Sequence, residues 1–233
     1  MKYVCIGDIH GRTVWKEIIN SNPNSIFIFM GDYLDPYSED ITDLDAIENF
    51  KEIIEFKINN PGTILLIGNH DAQYLFYPKF QVNSAFSVEY RNIICTLFKE
   101  NKNLFQFAFQ INDYLFTHAG ISKAWLKYHR NTFDQFGLNP DYSNIADVIN
   151  NIAISKKLTE VFDNISYLRR GSSLYGSIIW ADSRELIDNY IIGLKQIVGH
   201  TKFRDFFKTG DFDSFVIFID VLTEQTKALI IEI

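Results

Sequence analysis

Cysteine is nearly absent from this chain of 233 residues, with only Cys5 and Cys95 present. Two thiols 90 positions apart build no disulfide framework, and both read as small apolar side chains in the interior. No apolar run approaches the roughly 20 residues needed to cross a bilayer. The first strand-like segment begins at residue 2, so no signal peptide is expected. A reducing cytoplasm is the expected setting, with no membrane partner. Positive charge is in deficit, with 22 Lys and Arg against 29 Asp and Glu and a formal net charge of −7. That balance argues against the nucleic-acid backbone as the main partner, because phosphate tracking needs a basic footprint. Histidine is scarce too: there are five.

Aromatic residues are plentiful, 21 Phe and 12 Tyr, and 47% of the chain is hydrophobic, enough for a sizeable core. The amino-terminal half repeats one grammar. Apolar runs at 2–6, 25–30 and 63–67 each end in a glycine (Gly7, Gly31, Gly68) and hand over to polar residues. Between them lie segments with helical spacing: a short one around Val14, Trp15, Ile18 and Ile19, and a longer one marked by Leu44, Ile47, Phe50, Ile53, Ile54 and Ile58. Asn59-Asn60-Pro61-Gly62 stops the longer one. Strand and helix in alternation with short connections predict a parallel α/β arrangement.

Beyond Ala72 the pattern loosens. Residues 84–100 read as one helix, 104–110 and 114–117 as strands joined by an Asn112-Asp113 turn, and 122–130 and 145–164 as helical pieces. Residues 177–180 read as a short strand, and 195–199, 214–220 and 226–233 as closing strands. The expectation is a single domain over 1–233, in which 72–175 contains a helical insertion or cap, centred on 121–175, that shapes a pocket.

Four of the five histidines, His10, His70, His118 and His200, stand directly after or within a few residues of predicted strands, together with Asp8, Asp32 and Asn69. A lone histidine there is more often structural, but four in equivalent positions indicate a metal site assembled from strand tips. Mixed Asp, Asn and His ligation suits manganese, iron or zinc better than calcium or magnesium, since imidazole favours the borderline metals. Two divalent ions set against two ligand carboxylates leave a positive site, complementary to phosphate.

The blocks Gly7-Asp8-Ile9-His10-Gly11, Gly31-Asp32-Tyr33-Leu34-Asp35, Gly68-Asn69-His70-Asp71, His118-Ala119-Gly120 and Gly199-His200-Thr201 resemble, in order, the five signature blocks of the calcineurin-like metallophosphoesterases. The resemblance runs from residue 7 to residue 201. It implies a four-layer αββα sandwich of two mixed β-sheets flanked by helices, with two divalent metal ions, manganese in the first place and iron or zinc as alternatives. Carried over by position, Asp8, His10 and a bridging Asp32 match the ligands of one ion, and Asp32, Asn69, His118 and His200 those of the other. His70 matches the histidine that protonates the leaving group, and Asp35 the carboxylate that orients it. By the same resemblance, a hydroxide between the ions attacks phosphorus in line.

Gly199-His200-Thr201 and Ile179-Trp180-Ala181-Asp182 look like the branch holding serine/threonine phosphatases and symmetrical dinucleoside polyphosphate hydrolases. Two arginines of the protein phosphatases are replaced here by Pro36 and Ile67, which removes a bidentate phosphate clamp. Arg169 and Arg170 lie about where that branch places another phosphate-contacting arginine; a solvated basic pair explains them equally well. Arg184 either reaches the pocket or forms a salt bridge at a helix start. Asp71 either supports the site or caps the following helix. His129 belongs to no block and reads as a surface residue, and Tyr33 and Tyr37 lie in the loop beside the metal positions without a spacing that singles them out.

The expected activity is hydrolysis of phosphomonoesters, on a phosphorylated small molecule or a phosphoprotein. Hydrolysis of dinucleoside polyphosphates or other phosphoanhydrides, and of phosphodiesters, are the alternatives. A metal-binding scaffold without catalysis is disfavoured by the presence of both His70 and Asp35.

Overall fold

The structure, a computed structural model, describes residues 1–83 and 85–233. These residues form two compact units, one of 1–106 with 221–233 and one of 107–220.

The first unit is built on a five-stranded mixed sheet. Strands β1 (Lys2–Ile6), β2 (Ile26–Phe29), β3 (Ile64–Leu66) and β4 (Phe105–Gln106) run parallel in that order, and β10 (Leu229–Glu232) pairs antiparallel with β1. Helices α1 (Trp15–Asn20), α2 (Asp43–Asn59), α3 (Asn69–Leu75) and α4 (Arg91–Glu100) fill the connections. Helix α2 starts at a capping box: Thr42 Oγ1 accepts from Asp45 N at 3.1 Å, and Asp45 Oδ2 accepts from Thr42 N at 2.9 Å. Its buried face carries Ala46, Ile47, Phe50, Ile53 and Ile54, while Leu44 and Ile58 at its ends are exposed. Phe50 anchors an aromatic core, with ring centroids 5.3 Å from Tyr33, 4.7 Å from Phe98 and 5.9 Å from Phe105.

The second unit carries another five-stranded mixed sheet, in the order β5 (Ala108–Ile111), β6 (Tyr114–Thr117), β7 (Lys195–Val198), β9 (Phe215–Phe218) and β8 (Phe207–Gly210). Strands β6, β7 and β9 are parallel, and both edges are antiparallel. Its helices are α5 (Lys123–Tyr128), α6 (Arg130–Gln135), α7 (Ile145–Ala153), α8 (Leu158–Phe162) and α9 (Ser183–Leu186). Helix α7 packs on β5, where Asn150 Oδ1 accepts from Phe107 N at 3.0 Å and Asn150 Nδ2 donates to Ala108 O at 2.9 Å.

Several expected elements differ. The helix expected over 84–100 begins only at Arg91; Ser84 lies outside the described residues, and 85–90 form turns and irregular chain. The strand expected over 104–110 is two strands: the chain pairs with β3 at Phe105–Gln106, then with β6 from Ala108 onward. The long helical piece at 145–164 is broken into α7 and α8. Residues 177–180 are not a strand but a tight turn, in which Trp180 N and Ala181 N both donate to Ser177 O at 2.8 Å. Strand β8 has no counterpart in the sequence reading. Among the described residues, no helix is long and apolar enough to cross a membrane.

Candidate active site

In the first unit, the carboxyl ends of three adjacent parallel strands carry the polar residues singled out by the sequence. Asp8 and His10 follow β1, Asp32 and Asp35 follow β2, and Asn69 and His70 open α3 just after β3; all six are buried. Three of these positions fold back on left-handed backbone, with φ of 44° at His10, 52° at Asp32 and 55° at Asp35. Non-glycine residues avoid this region, and its use clusters where a site must be shaped. The turns are cross-tied: Asp32 O accepts from His10 N at 2.7 Å and Ile9 N at 3.1 Å, while Tyr33 O accepts from Gly11 N at 3.0 Å.

Asp71 is the hub beneath these turns. Fully buried, it accepts from Asp32 N at 2.7 Å and Gly68 N at 2.8 Å through Oδ2, and from Tyr33 N at 3.0 Å through Oδ1. It therefore both caps α3 and fixes the backbone that carries Asp32. Gly68 is required by proximity: a Cβ there would overlap the Asp32 carboxylate. Asp32 Oδ1 in turn accepts from His70 N at 2.9 Å.

His10, Asp32 and His70 offer donor atoms that all lie within 4.8 Å of one another; Asp8, two residues ahead of His10, is not one of the three. The histidines play unlike parts. His10 Nδ1 lies 2.9 Å from Leu34 O and 3.0 Å from Asp35 O, so the proton sits on Nδ1 and the lone pair of Nε2 faces Asp32 Oδ2 at 3.6 Å. Burial pushes the His10 pKa down to about 3, which keeps the ring neutral and able to ligate. His70, by contrast, has both nitrogens engaged: Nδ1 is 2.7 Å from Asp35 Oδ2, and Nε2 is 2.9 Å from Tyr37 Oη. Burial alone would lower the His70 pKa, but the charges of Asp32, Asp35 and Asp71, with the hydrogen bond to Asp35, outweigh it and raise it above the ordinary imidazole value. That is the setting of a proton donor.

The carboxylate that holds His70 is itself held. Asp35 Oδ2 also accepts from Gln73 Nε2 at 2.6 Å, Oδ1 accepts from Tyr74 Oη at 2.5 Å, and Tyr74 Oη accepts from Ser87 N at 2.7 Å. Burial, the larger effect, raises the Asp35 pKa above the ordinary value, while the donors oppose it and leave the carboxyl group little freedom to turn. The sequence reading missed Gln73 and Tyr74. Their signal was spacing: they lie three and four residues after His70 on α3, on the face that His70 shares.

In the second unit, His118 and His200 follow the neighbouring parallel strands β6 and β7. His118 is fully buried, and its Nε2 lies 3.1 Å from His200 Nδ1. Two ring nitrogens roughly 3 Å apart match adjacent ligands each about 2.1 Å from a common ion. His200 takes φ of 64°, and its ring meets Trp180 edge-on at 5.9 Å. Each donor group thus fits a divalent metal: the buried neutral imidazole of His10 beside the Asp32 carboxylate, and the converging imidazoles of His118 and His200.

The three arginines separate. Arg184 is exposed and bound to Asp182, with Nε 2.7 Å from Oδ1, as a salt bridge at the start of α9. Arg170 is exposed, at φ of 65°. Arg169 is half-buried: Nε lies 2.8 Å from Asp182 Oδ2, and Nη2 donates at 2.5 Å to Oγ1 of Thr201, the residue after His200. His129, expected on the surface, is buried instead. Its ring packs 5.1 Å from Trp125, and Nε2 lies 3.0 Å from the Asn164 side-chain amide. Tyr33 is structural, donating to Leu66 O at 2.9 Å and stacking on Phe50.

Two mixed sheets flanked by helices, with Asp and His gathered at the ends of parallel strands, define a metallo-dependent phosphatase fold. The family model for calcineurin-like phosphoesterases matches residues 1–213, and the chain belongs to that family. It is accordingly a metal-dependent phosphoester hydrolase. No curated protein is significantly similar to it in sequence. Among solved structures, a cold-active protein-tyrosine phosphatase of a psychrophilic Shewanella species is similar, at 19% identity and a TM-score of 0.52, over 99% of this chain and 75% of that one. A Saccharomyces cerevisiae protein serine/threonine phosphatase, itself described as similar to human phosphatase PP5, gives 16% identity and a TM-score of 0.54, over 94% of this chain and 66% of that one. At these identities the likeness is one of fold.

Proposed function

We propose that the protein is a dinuclear phosphomonoesterase acting in the cytoplasm on a phosphorylated small molecule or phosphoprotein. The observation that carries this reading is the buried Asp35–His70 pair, an oriented proton donor placed beside the ligand-competent His10 and Asp32. Asp8, His10 and Asp32 would hold one ion. Asp32, Asn69, His118 and His200 would hold the second, with manganese the first choice and iron or zinc the alternatives. When bound, the ions would supply an acidified water and positive charge opposite the phosphoryl oxygens.

The chain's own residues do the rest. Asp35, held by Gln73 and Tyr74, keeps Nδ1 of His70 protonated and turns Nε2 toward the departing oxygen. Nε2 gives its proton to that oxygen as the P–O bond breaks. Asp71 keeps the Asp32 backbone from relaxing. Of the three arginines, Arg169 is our choice for a phosphate contact, because Asp182 and Thr201 hold it still beside His200. Helical segments within 72–175 are taken to shape access to the site. Both phosphatases similar in fold are named for acting on phosphoprotein monoesters, which supports that substrate class.

The test is a panel of phosphopeptides, nucleotides, dinucleoside polyphosphates and bis-nitrophenyl phosphate, run with manganese and with chelator. Monoester turnover that needs manganese is expected. Faster cleavage of the diester or of the anhydrides would overturn the monoesterase assignment.

A further inference from the structure

Tyr37 lies two residues past Asp35, in the loop between β2 and α2, with its side chain 54% exposed. An exposed tyrosine ordinarily offers its hydroxyl to water. Here the phenol oxygen is 2.9 Å from Nε2 of His70, the ring nitrogen that Asp35 does not take and that Asn83 Nδ2 approaches less closely, at 3.3 Å. The phenol ring is gripped edge-on by two imidazoles, with centroids 4.6 Å from His10 at 62° and 5.7 Å from His70 at 81°. A leaving-group oxygen that receives a proton from Nε2 must lie about 2.6–3.2 Å from it. Tyr37 Oη already stands there, and two oxygens cannot share the place.

We propose that Tyr37 is a displaceable stand-in for the leaving group, and that the slot it fills selects substrates whose leaving group is a phenol, namely aryl phosphate monoesters. The proposal rests on the hydrolase reading above. In the reaction, an oxygen from water bonds to phosphorus and the bond from phosphorus to the aryl oxygen breaks. The His70 Nε2 proton passes to the aryl oxygen, and a proton from the attacking water restores His70, giving a phenol and inorganic phosphate. The departing phenol then lies as Tyr37 does, with its oxygen on Nε2 and its ring against both imidazoles. An alkyl alcohol reaches Nε2 but forfeits both ring contacts. Tyr37 thus determines specificity by competition: a substrate enters only by taking its place.

The first arm of the test is the His70 imidazole nitrogen resonances in the metal-free protein. Tyr37→Ala is expected to shift Nε2, and added phenol to move it back toward the wild-type position while cyclohexanol does not. Phenol and cyclohexanol acting alike, or neither acting, would overturn the slot. In the second arm, phenyl phosphate, a phosphotyrosyl peptide and ethyl phosphate are assayed with the manganese-loaded enzyme. Tyr37→Phe keeps the ring but loses the hydroxyl that competes for Nε2. The KM for phenyl phosphate is therefore expected to fall about fivefold, by more than any change in kcat. A KM that holds or rises would overturn the competition. Comparing the peptide with phenyl phosphate tells a protein-borne phenol from a free one; slower turnover of both than of ethyl phosphate would overturn the aryl preference. A protein that takes up phenol as described yet hydrolyses none of the three esters would overturn the hydrolase reading, and the substrate assignment with it, while leaving the slot in place.

Discussion

At the scale of single residues, the two nitrogens of His70 are a division of labour. Nδ1 belongs to Asp35, and Nε2 faces outward to Tyr37. Replacing His70 with Asn removes the proposed proton donor but leaves His10 and Asp32 in place. Turnover of alkyl phosphates is expected to drop about 10²–10⁴-fold. Nitrophenyl phosphate should lose much less, because its leaving group departs without a proton. Bound metal, measured by elemental analysis, should stay near the wild-type content. Equal losses for both esters would contradict the donor role.

At the scale of elements, close approach governs the turn that follows β3. Because a Cβ at Gly68 would overlap the Asp32 carboxylate, Gly68→Ala is expected to displace that carboxylate and weaken metal uptake at least tenfold in a titration with manganese, even where the fold survives. At the start of α9, Asp182 caps the helix through Arg184 N at 3.1 Å and pairs with two guanidinium groups. Burial would raise its pKa, but the hydrogen bonds from Arg184 and the charges of Arg169 and Arg184 outweigh this and hold it below the usual carboxylate value. A depressed carboxylate contributes stability above its unfolded pKa and loses it as the pH falls through the folded one. Asp182→Ala should therefore cost about 1 kcal/mol at pH 7 for the cap alone. Urea denaturation should show the gap from wild type narrowing below roughly pH 4.

Elements also show what a sequence discloses. Apolar runs ending in glycine and a polar residue, such as 2–6 before Gly7-Asp8, mark strand ends because burial and turn geometry are both local. The break at Phe107 left no mark, since Phe105, Phe107 and Phe109 recur at every second residue through the change of sheet. Ser177 to Trp180 is apolar because it is buried, not because it pairs. Polar neighbours suggested an exposed His129, but Trp125 covers it from four residues back. The grouping of His10, Asp32 and His70 was readable from their strand ends. The supports at Gln73 and Tyr74 needed the helix phase to be known first.

At the scale of the whole molecule, metal and fold are linked. Ions held by buried residues stabilise the folded state by mass action. Manganese at about a hundredfold over its dissociation constant contributes roughly 2.7 kcal/mol. For a chain of 233 residues, that corresponds to a rise in Tm of about 5–10 °C. Calorimetry with and without chelator checks it, and an unchanged Tm would mean that the cluster binds no metal.

The left-handed backbone at His10, Asp32, Asp35 and His200 carries a consequence of its own. Each costs on the order of 1 kcal/mol, which glycine at the same position would give back. Glycine there would also strip the hydrogen bonds that Asp32 and Asp35 accept from His70, Gln73 and Tyr74, so the strain is held in place by its own surroundings. A library of this chain sorted for thermal endurance alone should therefore keep both carboxylates.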